Sequence, residues 1–183
     1  MRSRDIRPPA LTPLNNIIIN PLSNECMGMD FLAMDTGFAS AAWTANLVLY
    51  VPLITVEPMV VSRFFWRNGI TVGGNTDIGI YNEAGTSKLV STGSTANAGT
   101  SVIQSVDVTD FRLPACSRFW LALGCDSGTQ TFWQANALGR GLEFAGARQQ
   151  LSGWSSGLPA TASLDAATIA ALPLFGFTGG SVI

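Results

Sequence analysis

The sequence NTDIGIYNEAGTSKLVST (75–92) decides the predicted fold. Ile78 and Ile80 alternate with polar or small residues, so one face of an extended strand would be apolar. Turn-forming residues follow at 83–86, and β-forming residues resume after them. A strand, a short turn and a second strand predict an antiparallel β-hairpin.

Similar short β-type segments, separated by turn residues, recur from about residue 45 to residue 178. They lie at 46–57, 59–68, 101–108, 118–125, 129–134 and 172–178. Short strands at such close intervals are typical of all-β folds. We therefore expect a jelly-roll-like antiparallel β-sandwich of about eight strands.

Three segments allow more specific predictions of their structure. The alternation in 101–108 is imperfect, which predicts a bulge or an edge strand. Segment 118–125 is apolar on both faces, which predicts a central strand. Segment 164–172 is the exception to the β pattern, because its apolar residues fit one side of a short helix.

Residues 1–24 are predicted to form an extended N-terminal arm, and residues 25–183 the β-sandwich domain. Four prolines in the arm oppose a regular helix. Ile17, Ile18 and Ile19 form a short apolar run between asparagines. Such a run is a liability in water, so the arm is expected to pack along its own domain or against a neighbouring subunit. The three isoleucines are therefore candidate interface residues.

The composition is unusually poor in charge, with 12% charged and 47% hydrophobic residues and a formal net charge of −2. This indicates either a membrane protein or a surface that neighbouring molecules partly cover. The uncharged stretch between Asp35 and Glu57 contains several polar residues and Pro52, which argues against membrane insertion. Nucleic acid is not an expected partner either, because phosphate binding needs clustered positive charge.

The residue types that carry most enzyme chemistry are missing or isolated. The chain has no histidine, which excludes Ser-His-Asp and Cys-His arrangements within one chain. Its three cysteines include no CxxC pair, so we expect no zinc site and packed, reduced thiols. We therefore expect a non-enzymatic protein with no cofactor and no metal.

The acidic residues do not change this expectation. Asp107 and Asp110 are close in sequence, as are Asp30 and Asp35, but both pairs border predicted turns, where Asp usually caps the backbone. The aspartates of the segments 126–128 and 75–77 could bind calcium in a loop, although the ligand density is far below that of dedicated sites.

Trp154 is the strongest single candidate for a binding residue. It lies in the loop SGWSSG (152–157), where a large aromatic side chain is surrounded by small residues. Tryptophan stacks on sugars and anchors protein interfaces, so Trp154 could contact a glycan or a partner. The alternative is that its ring folds back as a lid over the sandwich.

Several motifs together resemble a pattern in small structural proteins of tailed bacteriophages. They are YVP (50–52), ITV (54–56), the segment 60–68, DIGIYNEAG (77–85), LVSTG (89–93), FWLAL (119–123) and LPLFGF (172–177). The resemblance covers roughly residues 45–178 and implies a jelly-roll or lectin-like sandwich. It also implies a virion protein that is made in the host bacterial cytoplasm and offers no defined catalytic residues.

Two functions follow from the resemblance. The first is a capsid decoration or cement protein, expected as a homotrimer, that binds the major capsid protein or other virion proteins. The second is a tail or head fibre domain that contacts host glycan. The absence of a coiled coil or fibre shaft favours decoration, whereas the loop around Trp154 favours the fibre.

Overall fold

In the computed structural model, the structure describes residues 25–27, 34–137, 146–166 and 171–181. These residues form fourteen strands and no helix. The strands are β1 (Glu25–Met27), β2 (Met34–Ala42), β3 (Val48–Thr55), β4 (Met59–Arg67), β5 (Asn75–Asn82), β6 (Lys88–Ser91), β7 (Thr95–Ala96), β8 (Ile103–Leu113), β9 (Ser117–Cys125), β10 (Thr131–Ala137), β11 (Arg148–Gln150), β12 (Asp165–Ala166), β13 (Ala171–Pro173) and β14 (Phe175–Ser181).

The strands form three antiparallel sheets. Sheet A has the order β12-β11-β3-β9-β5-β6, with β7 paired to β5. Sheet B has the order β1-β14-β4-β8, and sheet C the order β13-β10-β2. A bridge between Asn68 and Phe132 connects the end of β4 to β10, so sheets B and C adjoin. The prediction of an all-β antiparallel sandwich is confirmed, whereas the jelly-roll connectivity stays a prediction.

The main core lies between sheet A on one side and sheets B and C on the other. In β4, for example, buried residues alternate with more exposed ones on either side of its bulge, as expected for a strand of two packed sheets. Its fully buried members include Leu49, Leu53, Ile78, Ile80, Leu121, Leu123, Phe64, Trp66, Phe132, Phe175 and Phe177. Burial of these large apolar side chains is the principal force that holds the layers together.

The hairpin prediction is confirmed in detail. β5 and β6 pair antiparallel, and Gly79 and Ile80 lie opposite Ser91 and Val90. Gly85 adopts a φ of 70° in the turn, a conformation that glycine accepts without steric cost. The central-strand prediction for 118–125 is also confirmed, because β9 lies between β3 and β5.

Among the described residues β8 is an edge strand, which is one of the two outcomes that its irregular alternation predicts. Its bulge lies after Asp107 and not at Gln104, the residue that breaks the alternation. Val61 of β4 pairs with Phe111, but Arg63 pairs with Asp107, so residues 108–110 lie opposite Ser62 alone. The expectation that Asp107 and Asp110 border a turn is wrong, because both lie inside β8. β8 continues beyond 108 because its Phe111 and Leu113 side chains still pack against the core.

Other differences concern short or weakly patterned segments. Part of the helix expected over 164–172 is instead extended in β12 and β13, because both strands find antiparallel partners in β11 and β10. The strands β1 and β2 lie where no strand was predicted. The predicted arm (1–24) lies outside the described residues.

Residues 151–164, which we call the strap, cover the outer face of sheet A. Leu158 of the strap packs against Tyr50, Tyr81 and Ala122, which point away from the main core. The hydroxyl of Tyr81 donates to the carbonyl oxygen of Pro159 at 2.5 Å. The central strands of sheet A are consequently covered on both faces, whereas no second layer of this kind lies over sheets B and C among the described residues.

Candidate interaction surface

One row of residues runs across the outer face where sheets B and C adjoin. Ile103 and Arg67 are partners on β8 and β4. The amide of Arg67 donates to Leu174, whose own amide donates to Trp133 at 2.8 Å. Trp133 in turn pairs with Ser40 of β2. The two sheets therefore present one continuous surface at this row.

Arg67 and Trp133 contact each other on this surface. Their chain neighbours Trp66 and Phe132 are fully buried, so strand alternation turns Arg67 and Trp133 outward. The Arg67 guanidinium carbon lies 4.7 Å from the Trp133 ring centroid. This cation–π geometry contributes about 0.5–1 kcal/mol at a partly exposed site.

Three exposed aliphatic residues lie on chain segments that adjoin this pair. Ile70, Val102 and Ile103 are 66%, 46% and 67% exposed. The amide of Asn68 donates to the carbonyl oxygen of Val102, which holds the two chain segments side by side. We call Arg67, Ile70, Val102, Ile103 and Trp133 the Arg67–Trp133 surface.

A network of buried amide side chains supports the surface from below. The indole nitrogen of Trp66 donates to Asn68 Oδ1 at 3.0 Å, and Gln130 Nε2 donates to the same oxygen. Asn68 Nδ2 donates to Ala98 O and Gln104 Oε1. The network joins three connections between strands, so the loops that carry Ile70 and Val102 are fixed before any partner binds.

Close backbone packing fixes the position of Ile70 further. A Cβ atom on Gly69 would overlap the hydroxyl oxygens of Ser40 and Thr131, so only glycine fits there. The Ser40 hydroxyl oxygen accepts the amide of Ile70 at 2.9 Å. The turn after β4 is thus anchored to β2 and β10.

The indole N–H of Trp133 is buried and has no hydrogen-bond acceptor among the described residues. A buried donor without an acceptor costs about 1–3 kcal/mol. Among the described residues, the Arg67–Trp133 surface therefore contains one buried hydrogen-bond donor without an acceptor, in addition to its exposed apolar side chains.

Trp154, the candidate binding residue of the loop 152–157, is only 9% exposed. Its amide donates to Asn46 O, and a Cβ atom on Gly124 would lie 3.1 Å from its ring. The ring thus lies against β9 in the position of a lid, which is the alternative to a glycan or partner contact. Ile17, Ile18 and Ile19 lie outside the described residues.

The acidic residues make structural contacts. Asp107 forms an exposed pair with Arg63, and the hydrogen bond from the guanidinium lowers the pKa of the carboxyl. Asp126 accepts the backbone and side-chain amides of Asn75, so the turn at 126–128 uses its carboxylate to close the loop end. Among the described residues, no three His, Cys, Asp or Glu side chains are grouped for a metal.

The cysteines differ from one another. Cys125 is buried, and burial raises the pKa of its thiol, as expected for a packed thiol. Cys116 is exposed, so the expectation of interior packing is wrong there. It occupies the turn between β8 and β9, where its φ is 51° and its thiol lies 3.7 Å from the carbonyl oxygen of Val56.

No helix in the described ranges is long and apolar enough to cross a membrane. No protein-family model matches the chain, and no curated protein matches it in sequence. The candidate site therefore rests on its own geometry. The alternation along β10 predicts that Trp133 and Phe132 face opposite sides of the strand. No local sequence pattern predicts that Arg67 lies beside Trp133.

Proposed function

We propose that this chain is a non-enzymatic structural protein of a tailed-bacteriophage virion, and that it decorates the capsid and stabilises its lattice. The Arg67–Trp133 surface is the observation that carries the binding role. Tryptophan and arginine are the residues most enriched among binding hot spots, and exposed aliphatic residues beside them add apolar area. The assignment of the chain to a virion, and to its capsid, rests on the sequence resemblance.

The low charge of the chain supports a surface covered by neighbours. The major capsid protein is the proposed partner, with the Arg67–Trp133 surface buried against it. Binding only to the assembled lattice would stabilise that lattice by mass action. No catalytic step is part of this proposal.

The fibre alternative has lost its main support, because the Trp154 ring faces the protein. Copy number per virion separates the two functions. Quantitative mass spectrometry of purified virions is expected to give hundreds of copies for decoration. A dozen copies or fewer would contradict decoration and favour a fibre or tail position.

Replacement of Ile70 by Asp tests the surface itself. We expect at least a tenfold weaker binding to capsids that lack this protein, because an aspartate cannot replace a buried aliphatic side chain worth about 2 kcal/mol. Val56→Asp is the matched control, since Val56 is 57% exposed at the opposite end of β4. Equal binding by both variants would refute the assigned surface.

A further inference from the structure

Strand β8 offers a free edge to another strand. It is eleven residues long and lies at one end of the order β1-β14-β4-β8. No described strand pairs with its other side. A long unpaired edge is a template for an additional strand.

Only the first half of this edge suits strand addition. From Ile103 to Asp107, the register with β4 is regular. The bulge at 108–110 interrupts the second half, and Asp110 and Arg112 place exposed charges there. Bulges and charges on an edge oppose pairing with another chain. The open segment is therefore 103–107, which begins at the exposed Ile103.

The arm leads into β1, which lies at the edge of sheet B opposite to β8. Glu25 of β1 pairs with Thr178, which pairs with Arg63, which pairs with Asp107. This row crosses the sheet from β1 to β8. Residues 1–24 thus join the sheet at one edge, while the unpaired segment 103–107 lies at the other.

The composition of the run Ile17–Ile19 suits a strand that pairs with residues 103–107. Isoleucine is β-branched and favours strands, and three in succession need apolar cover. The six residue-to-residue steps from Ile19 to Glu25 span at most about 20 Å. To pair beyond β8 of its own sheet, the arm would have to cross four inter-strand spacings, which use about 19 Å of this length before any pairing could begin.

We infer that the segment around Ile17–Ile19 of one copy adds as a strand to residues 103–107 of a second copy. A neighbour whose β1 edge faces β8 donates its arm to that strand without any crossing. Donor and acceptor lie on opposite edges, so the contact is head-to-tail, and it gives a closed ring or an open filament according to the rotation between copies. The occupant is a second copy of this chain, and the proposal holds whether or not the assembly binds a capsid.

Disulfide trapping tests the inference on the full chain. Cys26 and Cys116 are replaced by Ser, Ser105 is replaced by Cys, and Ile17, Ile18 and Ile19 are replaced by Cys one at a time. Because side chains alternate across a strand, we expect either Ile18→Cys alone, or Ile17→Cys and Ile19→Cys together, to cross-link to Ser105→Cys. Val56→Cys replaces Ser105→Cys in the matched control and is expected to form no cross-link.

Isotope labelling identifies which chains are linked. In a mixture of ¹⁵N-labelled and unlabelled protein, mass spectrometry is expected to find mixed disulfides between Ser105→Cys and the arm. Disulfides confined to single chains, or no period-two pattern, would overturn the inference.

Native mass spectrometry of the unmodified protein gives an independent readout. We expect an oligomer that dissociates when Ile17, Ile18 and Ile19 are all replaced by Asp. A wild-type monomer at every concentration, or an unchanged oligomer in the triple variant, would also overturn the inference. These measurements use isolated protein, so their failure is distinguishable from loss of capsid binding.

Discussion

At the scale of the residue, Asp77 is the most consequential polar side chain described. It is fully buried on the outer face of sheet A. Its carboxylate accepts the Thr92 hydroxyl at 3.0 Å and the Leu158 amide at 2.9 Å, and Lys88 Nζ lies 3.8 Å away. These partners compensate for the desolvation of the carboxylate. Asp77 thereby fastens the strap to β5.

Replacement of Asp77 by Ala is expected to lower the free energy of unfolding by about 3 kcal/mol, because the Leu158 amide and the Thr92 hydroxyl lose their acceptor and Lys88 loses its nearby carboxylate. Urea titration followed by circular dichroism measures this. Asp107→Ala is the control, and we expect its urea midpoint to equal that of the wild type, since the Arg63–Asp107 pair is exposed. Equal losses in the two variants would contradict the assigned role of Asp77.

At the scale of the element, the strap acts as a third layer on sheet A. Lys88 Nζ donates to Leu158 O at 2.8 Å, and the amide of Ala162 donates to Gly85 O. The strap also depends on the lack of a side chain at Gly124 in β9. A Cβ atom on Gly124 would lie 3.1 Å from Trp154 Cε3 and 3.2 Å from Leu158 Cδ2.

Gly124→Val is therefore expected to displace the strap at a cost of about 1–3 kcal/mol, because its methyl groups overlap the Trp154 and Leu158 side chains. Limited chymotrypsin digestion should cleave the variant faster after these two residues. Gly128→Val is the control, since its Cβ atom would be no closer than 3.7 Å to its neighbours. Wild-type cleavage rates in Gly124→Val would show that the strap does not need this gap.

At the scale of the whole molecule, the layered packing covers both tyrosines of the chain. Tyr50 and Tyr81 lie between sheet A and the strap, with their ring centroids 5.5 Å apart. Burial raises the pKa of each phenol well above its ordinary value. The Tyr50 hydroxyl donates to Gln150 Oε1 at 2.8 Å, a bond that requires the protonated phenol.

The alkaline stability of the protein follows from these two groups. Above about pH 10 the unfolded chain releases both phenolic protons and the folded chain retains them. The free energy of unfolding should therefore fall by up to about 1.4 kcal/mol per pH unit for each tyrosine. We expect tyrosinate absorbance to appear together with the loss of circular dichroism. Absorbance that rises near pH 10 in folded protein would contradict the burial of the phenols.

Much of the fold was predictable because its signals are local. The alternation of Ile78 and Ile80 and the turn after Asn82 depend on adjacent residues, as does the two-sided apolar pattern of β9. The strands β7, β11 and β12 have too few residues for a periodic pattern. They form only because a strand of sheet A is available to pair with each of them. The candidate surface was missed for a related reason, since Arg67 and Trp133 come into contact only because β4 and β10 adjoin in the folded chain.

The sequence by itself determined the strand alternation, the hairpin, the central position of β9 and the absence of histidine chemistry. Only the tertiary structure decided which outer faces are covered. Trp154 could equally have faced solvent or the protein, because a loop of small residues permits both. Its burial depends on Gly124 and on Asp77, which lies 81 residues from its strap partner Leu158. Contacts at such separation are set by how the layers pack, and no local pattern encodes them.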